Sequence, residues 1–83
     1  KDYARQALVC EDVAGQVAGG DERIFGVMIE SHLKAGRQDL VAGRELEYGQ
    51  SITDACIGWE DSVALLDRLA GAAQARRLKH AAE

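Results

Sequence analysis

Two carboxylates stand where a charge needs a reason. Glu30 closes the apolar run Ile24-Phe-Gly-Val-Met-Ile29, and Asp54 lies within a second one, between Ile52-Thr53 and Ala55-Cys56-Ile57. A charge among buried strand residues has to be ion-paired, hydrogen-bonded or bound to a metal. Two acidic oxygens at adjacent strand ends suit a divalent cation. In parallel α/β folds, the carboxyl ends of the strands build the active site. On spacing alone, Glu30 reads first as a solvated strand end, and Asp54 equally as a cap on the following helix or turn and as a functional group. His32 lies two residues beyond Glu30 and shares its face if the strand continues. It reads as a group supporting the ligands or as an exposed loop histidine, rather than as a ligand. His80, near the end of the chain, reads as solvated. Trp59 reads as an anchor packing the last helix on the sheet. Lys34, Arg37 and Arg44 could meet a phosphate, although a solvated loop is their default. No phosphate-cradling glycine motif and no nucleophile elbow accompany them.

The elements that must position these groups follow from periodicity. Residues 2–18 read as an amphipathic helix with Tyr3, Ala7, Cys10, Val13/Ala14 and Val17 on one face. Asp2 is a candidate N-cap, and Gly19-Gly20 ends the helix. Residues 24–30 are continuously apolar without alternation, the pattern of a strand buried on both faces. Gly26 within it suggests close backbone packing. Residues 31–50 read as a loop, long enough to be functional or disordered. Residues 51–57 read as a second buried strand, broken by Gly58. A helix then runs over 60–77, with Val63, Leu66, Leu69, Ala70 and Ala73 as its apolar stripe and Leu65 beside it. Glu60 and Asp61 in its first turn and Arg76, Arg77 and Lys79 near its end suit the helix dipole. The tail from Leu78 to Glu83 reads as frayed.

The order helix, strand, loop, strand, helix is a section of an α/β architecture. Two strands alone leave two open edges and cannot cover both of their faces. Composition agrees. Of 83 residues, 14 are Ala and only 19 are Leu, Ile, Val or Phe. A core that thin contributes no more than about 3–5 kcal/mol. The sole Met is Met28, so the chain is expected to be either processed or a piece of something longer.

Net charge −4 and the lack of a basic stretch interleaved with aromatics argue against nucleic acid. No apolar run approaches a membrane span. Lys1 and Asp2 open a polar, helical-looking stretch rather than a signal peptide. Cys10 and Cys56 form no Cys-x-x-Cys pair and no zinc-finger spacing. They read as buried, reduced thiols of a cytoplasmic protein.

Two stretches then acquire a sharper meaning. Gly26-Val-Met-Ile-Glu-Ser-His-Leu33 and Tyr48-Gly-Gln-Ser-Ile-Thr-Asp-Ala-Cys-Ile-Gly-Trp-Glu-Asp61 resemble the C-terminal part of the microbial class I DAHP synthases (3-deoxy-7-phosphoheptulonate synthases). Ala35-Gly-Arg-Gln38 and the helix end Val17-Ala-Gly-Gly20 fit the same pattern. The resemblance covers residues 2–77.

It implies a (β/α)₈ TIM barrel, of which this chain supplies the last two strands and their helices. The implied reaction is the condensation of phosphoenolpyruvate with erythrose 4-phosphate, opening the shikimate pathway to the aromatic amino acids. It also implies a divalent cation of the Mn, Fe, Co or Zn type, held by a Cys, a His, a Glu and an Asp. Glu30 matches the family's Glu, and Asp54 its Asp. Asp54 would also be catalytic, near the aldehyde end of the sugar phosphate. The metal would polarise the aldehyde carbonyl while the enol carbon attacks it.

The family's Cys and His ligands lie upstream of this segment. Cys10, Cys56, His32 and His80 do not match them. The phosphate- and carboxylate-binding Arg and Lys residues are also upstream. The segment alone is therefore expected to be inactive, and the full-length enzyme to be a cytoplasmic homo-oligomer without nucleic-acid or membrane partners. Two alternatives remain. One is a helix-rich interaction module that buries its stripes against a partner or a second copy. The other is a small metal-binding protein using Glu30, His32 and Asp54.

Overall fold

The computed structural model describes residues 2–82. Lys1, at the polar start, and Glu83, at the end of the expected frayed tail, lie outside the described residues. Helix α1 spans Arg5–Ala18 and helix α2 spans Trp59–Ala82, and the two pack against each other. Everything between them is irregular.

Helix α1 forms on the face its periodicity indicates. Cys10, Ala14 and Val17 are buried, and Tyr3, Ala7 and Val13 are half-buried beside them. Its N-cap is Ala4, not Asp2. Asp2 acts one turn earlier, where its Oδ1 accepts from the Ala4 N–H at 3.1 Å. Its C-terminus is a Schellman turn. The Asp21 N–H donates to the Gln16 carbonyl at 3.1 Å and the Gly20 N–H to that of Val17 at 3.0 Å. Gly20 holds φ +108°, and a Cβ there would lie 3.0 Å from Cδ of Lys79. Both facts favour glycine.

Helix α2 turns inward a stripe that overlaps the expected one only at Leu69 and Ala73, with Leu65 beside it. Ser62, Leu65 and Ala72 are buried, with Leu69 and Arg76 half-buried in the same line. Val63, Leu66 and Ala70 of the expected stripe are exposed. Ala is so frequent in α2 that two faces are comparably apolar, and the position of α1 decides between them. Two small clusters result. Cys10, Ile57 and Leu65 form one, with Tyr3, Ala7, Ile29 and Leu69 against it. Ala14, Val17 and Ala72 form the other, with Val13, Ala18, Ile24 and Leu69.

The expected tail is also corrected. Helix α2 continues through Ala82, and its end clamps the turn that follows α1. Arg76 Nη1 donates to the carbonyls of Asp21 and Ile24, each at 2.7 Å. His80 Nε2 lies 3.0 Å from the Gly20 carbonyl and 3.5 Å from Glu22 Oε1, so His80 is not simply solvated. Beside it, hydrogen bonds from Arg23 hold the Asp21 carboxyl below its ordinary range. That pair is charged at neutral pH and weakens only as pH falls through the lowered value.

The two expected strands are corrected as well. No strand forms among the described residues. Residues 24–30 run extended but pair with nothing until Ser31 makes a single parallel bridge to Ile57. There the Ile57 N–H donates to the Glu30 carbonyl at 3.0 Å, and the His32 N–H to that of Ile57 at 2.9 Å. A strand buried on both faces needs neighbours that this chain does not bring. Phe25 is 96% exposed and Met28 88%. Nothing lies within 4 Å of a Cβ built on Gly26, so the close packing expected there is absent. Trp59, expected as an anchor, is exposed.

The long loop 31–50 is ordered by side-chain amides rather than by a ladder. Gln38 Nε2 donates to the carbonyls of Glu47 at 2.8 Å and Gln50 at 3.0 Å, while its Oε1 accepts from the Glu47 N–H at 2.8 Å. Gln50 Nε2 donates to the Ala35 carbonyl at 2.9 Å. Bridges join Gly36 to Cys56 and Arg37 to Ser51.

The molecule measures 61 × 20 × 16 Å, with a radius of gyration of 16.3 Å. A compact domain of this length would have about 12 Å. The accessible surface is 6271 Å², against about 4,800 Å² for a folded monomer of this mass. The section keeps a helix pair covered and leaves much of its remaining apolar surface open.

Candidate functional site

Glu30 and Asp54 reach the same place by different routes. Glu30 ends the extended segment, and its main chain is held on both polar atoms. Its N–H donates to Gln6 Oε1 at 2.8 Å, and its carbonyl accepts from Gln6 Nε2 at 3.0 Å as well as from Ile57. Asp54 sits in a turn nucleated by the buried Ser51. Ser51 Oγ accepts from the Thr53 N–H at 3.1 Å, and the Cys56 thiol donates to the Asp54 carbonyl at 3.4 Å. In both places the hydrogen bonds engage the backbone, and both residues are exposed.

The two residues line one small open cleft of about 160 Å³, together with Asp2, Tyr3, Gln6 and Ala55. Neither carboxylate belongs to an ion pair found among the described residues. Their oxygens fit a hard divalent cation in kind. They do not fit it in number, because such an ion takes four to eight donors. No three His, Cys, Asp or Glu side chains among the described residues form a group able to hold a metal. This speaks against the alternative of a self-sufficient site built from Glu30, His32 and Asp54.

His32 is exposed and does not line the cleft. Its Nδ1 accepts from the Leu33 N–H at 2.9 Å, which assigns the ring proton to Nε2. Two of the loop's basic residues have protein partners. Lys34 pairs with Glu47, and Arg37 pairs with Asp39 while donating from Nε to the Thr53 carbonyl at 2.8 Å. Arg44 is exposed in the turn after Val41. Trp59 lines a separate depression with Leu33, Ala35, Gly58, Glu60 and Asp61. Cys10 and Cys56 are free and buried. Burial pushes the Cys10 thiol up, and Glu11 adds to the effect.

Gln6 is a cleft residue that the sequence reading did not single out, and Asp2 is one that it offered only as an N-cap. The signal for Gln6 was available: at spacings of three and four it falls between Tyr3 and Cys10, a polar amide on a buried face.

The family model described as "DAHP synthetase I family" matches residues 1–67. The chain belongs to the DAHP synthetase I family. Among curated members, a phospho-2-dehydro-3-deoxyheptonate aldolase of Haemophilus influenzae is 62% identical over 77 residues, which are 93% of this chain and 21% of that protein. The Phe-sensitive enzyme of that name from Escherichia coli K12 is 58% identical over 77 residues, 22% of its length. The solved structure of the Francisella tularensis phospho-2-dehydro-3-deoxyheptonate aldolase superposes with a TM-score of 0.83 at 45% identity, covering 90% of this chain and 21% of that one. The chain thus spans about a fifth of the length of the DAHP synthetase I relatives it matches. It reproduces their local fold over that span.

No helix of the described residues is long and apolar enough to cross a membrane.

Proposed function

We propose that these residues serve as the section of a DAHP synthase that brings Glu30 and Asp54 to the metal site of a (β/α)₈ barrel. The assembled enzyme then condenses phosphoenolpyruvate with erythrose 4-phosphate, the first step of the shikimate pathway. One observation carries the reading. Two acidic residues 24 positions apart line a single cleft, with their backbones hydrogen-bonded and both residues exposed. A bound divalent cation supplies a Lewis acid for the aldehyde carbonyl. Glu30 and Asp54 contribute hard oxygen donors to that ion, and Asp54 stands toward the aldehyde end. The remaining donors and the anion-binding groups have to come from outside these 83 residues. The exposed Phe25 and Met28 are where neighbouring barrel elements would cover the extended segment. Under this reading the enzyme is a cytoplasmic homo-oligomer with neither nucleic acid nor membrane as a partner.

A helix-rich interaction module is the second reading. It is favoured by Leu8 and Val9 on the outer face of α1 and by the exposed Val63 and Leu66 of α2. It requires no metal.

The test has two arms. The pure 83-residue chain with phosphoenolpyruvate, erythrose 4-phosphate and Mn²⁺ is expected to give no turnover. A chimera in which this chain replaces the matching section of the Haemophilus influenzae relative is expected to be active. In that chimera, Glu30→Gln or Asp54→Asn should lower kcat by about 100-fold or more, at or beyond what loss of a residue supporting a metal ligand costs. Turnover by the isolated chain, or a chimera that tolerates both substitutions, would overturn the reading.

A further inference from the structure

We propose that Gln6 is a positioning residue for the Glu30 carboxylate. Its side-chain amide clamps the Glu30 main chain and thereby keeps the carboxylate on the cleft shared with Asp54. This rests on the reading of Glu30 and Asp54 as metal-holding groups.

The geometry is specific. Gln6 offers a carbonyl acceptor and an NH₂ donor group, and both are used on the same residue, at 2.8 Å to the Glu30 N–H and 3.0 Å to its carbonyl. A primary amide presents the same pair of groups as a backbone peptide, so Gln6 replaces a missing strand neighbour at this point. The clamp is needed because residues 24–30 have no ladder of their own. Among the described residues, only the Ile57 contact, at 3.0 Å, also holds the Glu30 carbonyl. Gln6 is half-buried on α1 and itself lines the cleft. It therefore ties the position of Glu30 to the helix pair rather than to the loose segment. No close substitute does this. A Glu at position 6 loses the donor at neutral pH and adds a fourth carboxylate beside Asp2, Glu30 and Asp54. Asn is one methylene shorter, and Met has neither group.

The test uses NMR on the full 83-residue chain. In Gln6→Met, exchange of the Glu30 amide should rise about tenfold, the loss of one net hydrogen bond. The Ala14 amide, central in α1, should be unchanged. Gln6→Glu should match Gln6→Met at pH 7. Near pH 4, where a protonated carboxyl again offers a donor and an acceptor, it should regain protection relative to Gln6→Met at the same pH. Packing alone would give no such rescue. Mn²⁺ alone should broaden the Glu30 and Asp54 signals together in the unsubstituted chain, whereas in Gln6→Met broadening of Glu30 should need about tenfold more Mn²⁺.

Unchanged Glu30 exchange in Gln6→Met overturns the clamp. Faster exchange with Glu30 and Asp54 still broadening together at the original concentration overturns the positioning role. If Mn²⁺ broadens neither residue in the unsubstituted chain, the metal reading falls and the positioning role with it, while the exchange arm still reports the clamp separately. If Gln6→Met also loses Ala14 protection, the acid rescue of Gln6→Glu decides: its presence supports the clamp and its absence overturns it.

Discussion

The two sides of this molecule use similar residues with opposite results. Where α1 faces α2, Ala14 and Ala72 are 0% and 1% exposed, although each offers only a methyl group. Along the extended segment, Phe25 and Met28 are far larger and almost fully in solvent. Burial here does not follow hydrophobicity. It follows whether the chain contains the element that faces the residue. An apolar run of this kind, left open in a small protein, marks a surface that expects another element.

The largest effect should come from the covered side. Among the described residues Ile57 is the largest fully buried side chain, 2% exposed; it packs with Cys10 and Leu65 of the two helices while its main chain bridges to Ser31. Ile57→Ala is expected to lower the unfolding free energy by about 2–5 kcal/mol. Urea denaturation followed by circular dichroism reads this, and a loss below about 0.5 kcal/mol would mean that the covered side is not a core. Gly20→Ala tests the junction between the two regions. It forces a side chain onto a positive φ and against the Lys79 stem, and should cost about 1–2 kcal/mol. An unchanged midpoint would show that α2 does not hold the turn. The smallest effect belongs to the open side. Phe25→Ser and Met28→Ser should each change stability by less than about 0.5 kcal/mol while reducing binding of a hydrophobic dye. A loss comparable to that of Ile57→Ala would erase the distinction between the two sides.

What the sequence discloses follows the same division. The stripe of α1 is legible because Cys10, Ala14 and Val17 are the apolar positions of a mixed helix. That of α2 is not, because Ala on nearly every face makes Val63-Leu66-Ala70 and Leu65-Leu69-Ala72 near equivalents until α1 arrives. The runs 24–30 and 51–57 carry the composition of buried strands, but a ladder is a property of pairs, and among the described residues the second run makes only isolated bridges, to Ser31, Gly36 and Arg37. At the candidate site, Glu30 and Asp54 stand out as charges in apolar surroundings. Gln6 shows there only as an amide on a buried helical face, and the contributions of Gln38 and Gln50 are invisible. The peptide that an amide closes onto 24 positions away leaves no local pattern.

The Gln38 and Gln50 contacts have a consequence for assembly of the helix pair. About 40 residues separate the end of α1 from the start of α2, so the helices cannot meet as a local hairpin and must close a long tether. The Gly36–Cys56 bridge, in the part of the loop that the two glutamines knot, removes about half of that length once formed. Halving a flexible loop lowers its closure entropy by about 0.6 kcal/mol. The glutamine-knotted loop thus works as a tuck in the chain. It shortens the search by which one helix finds the other, although none of its residues lies in either core cluster.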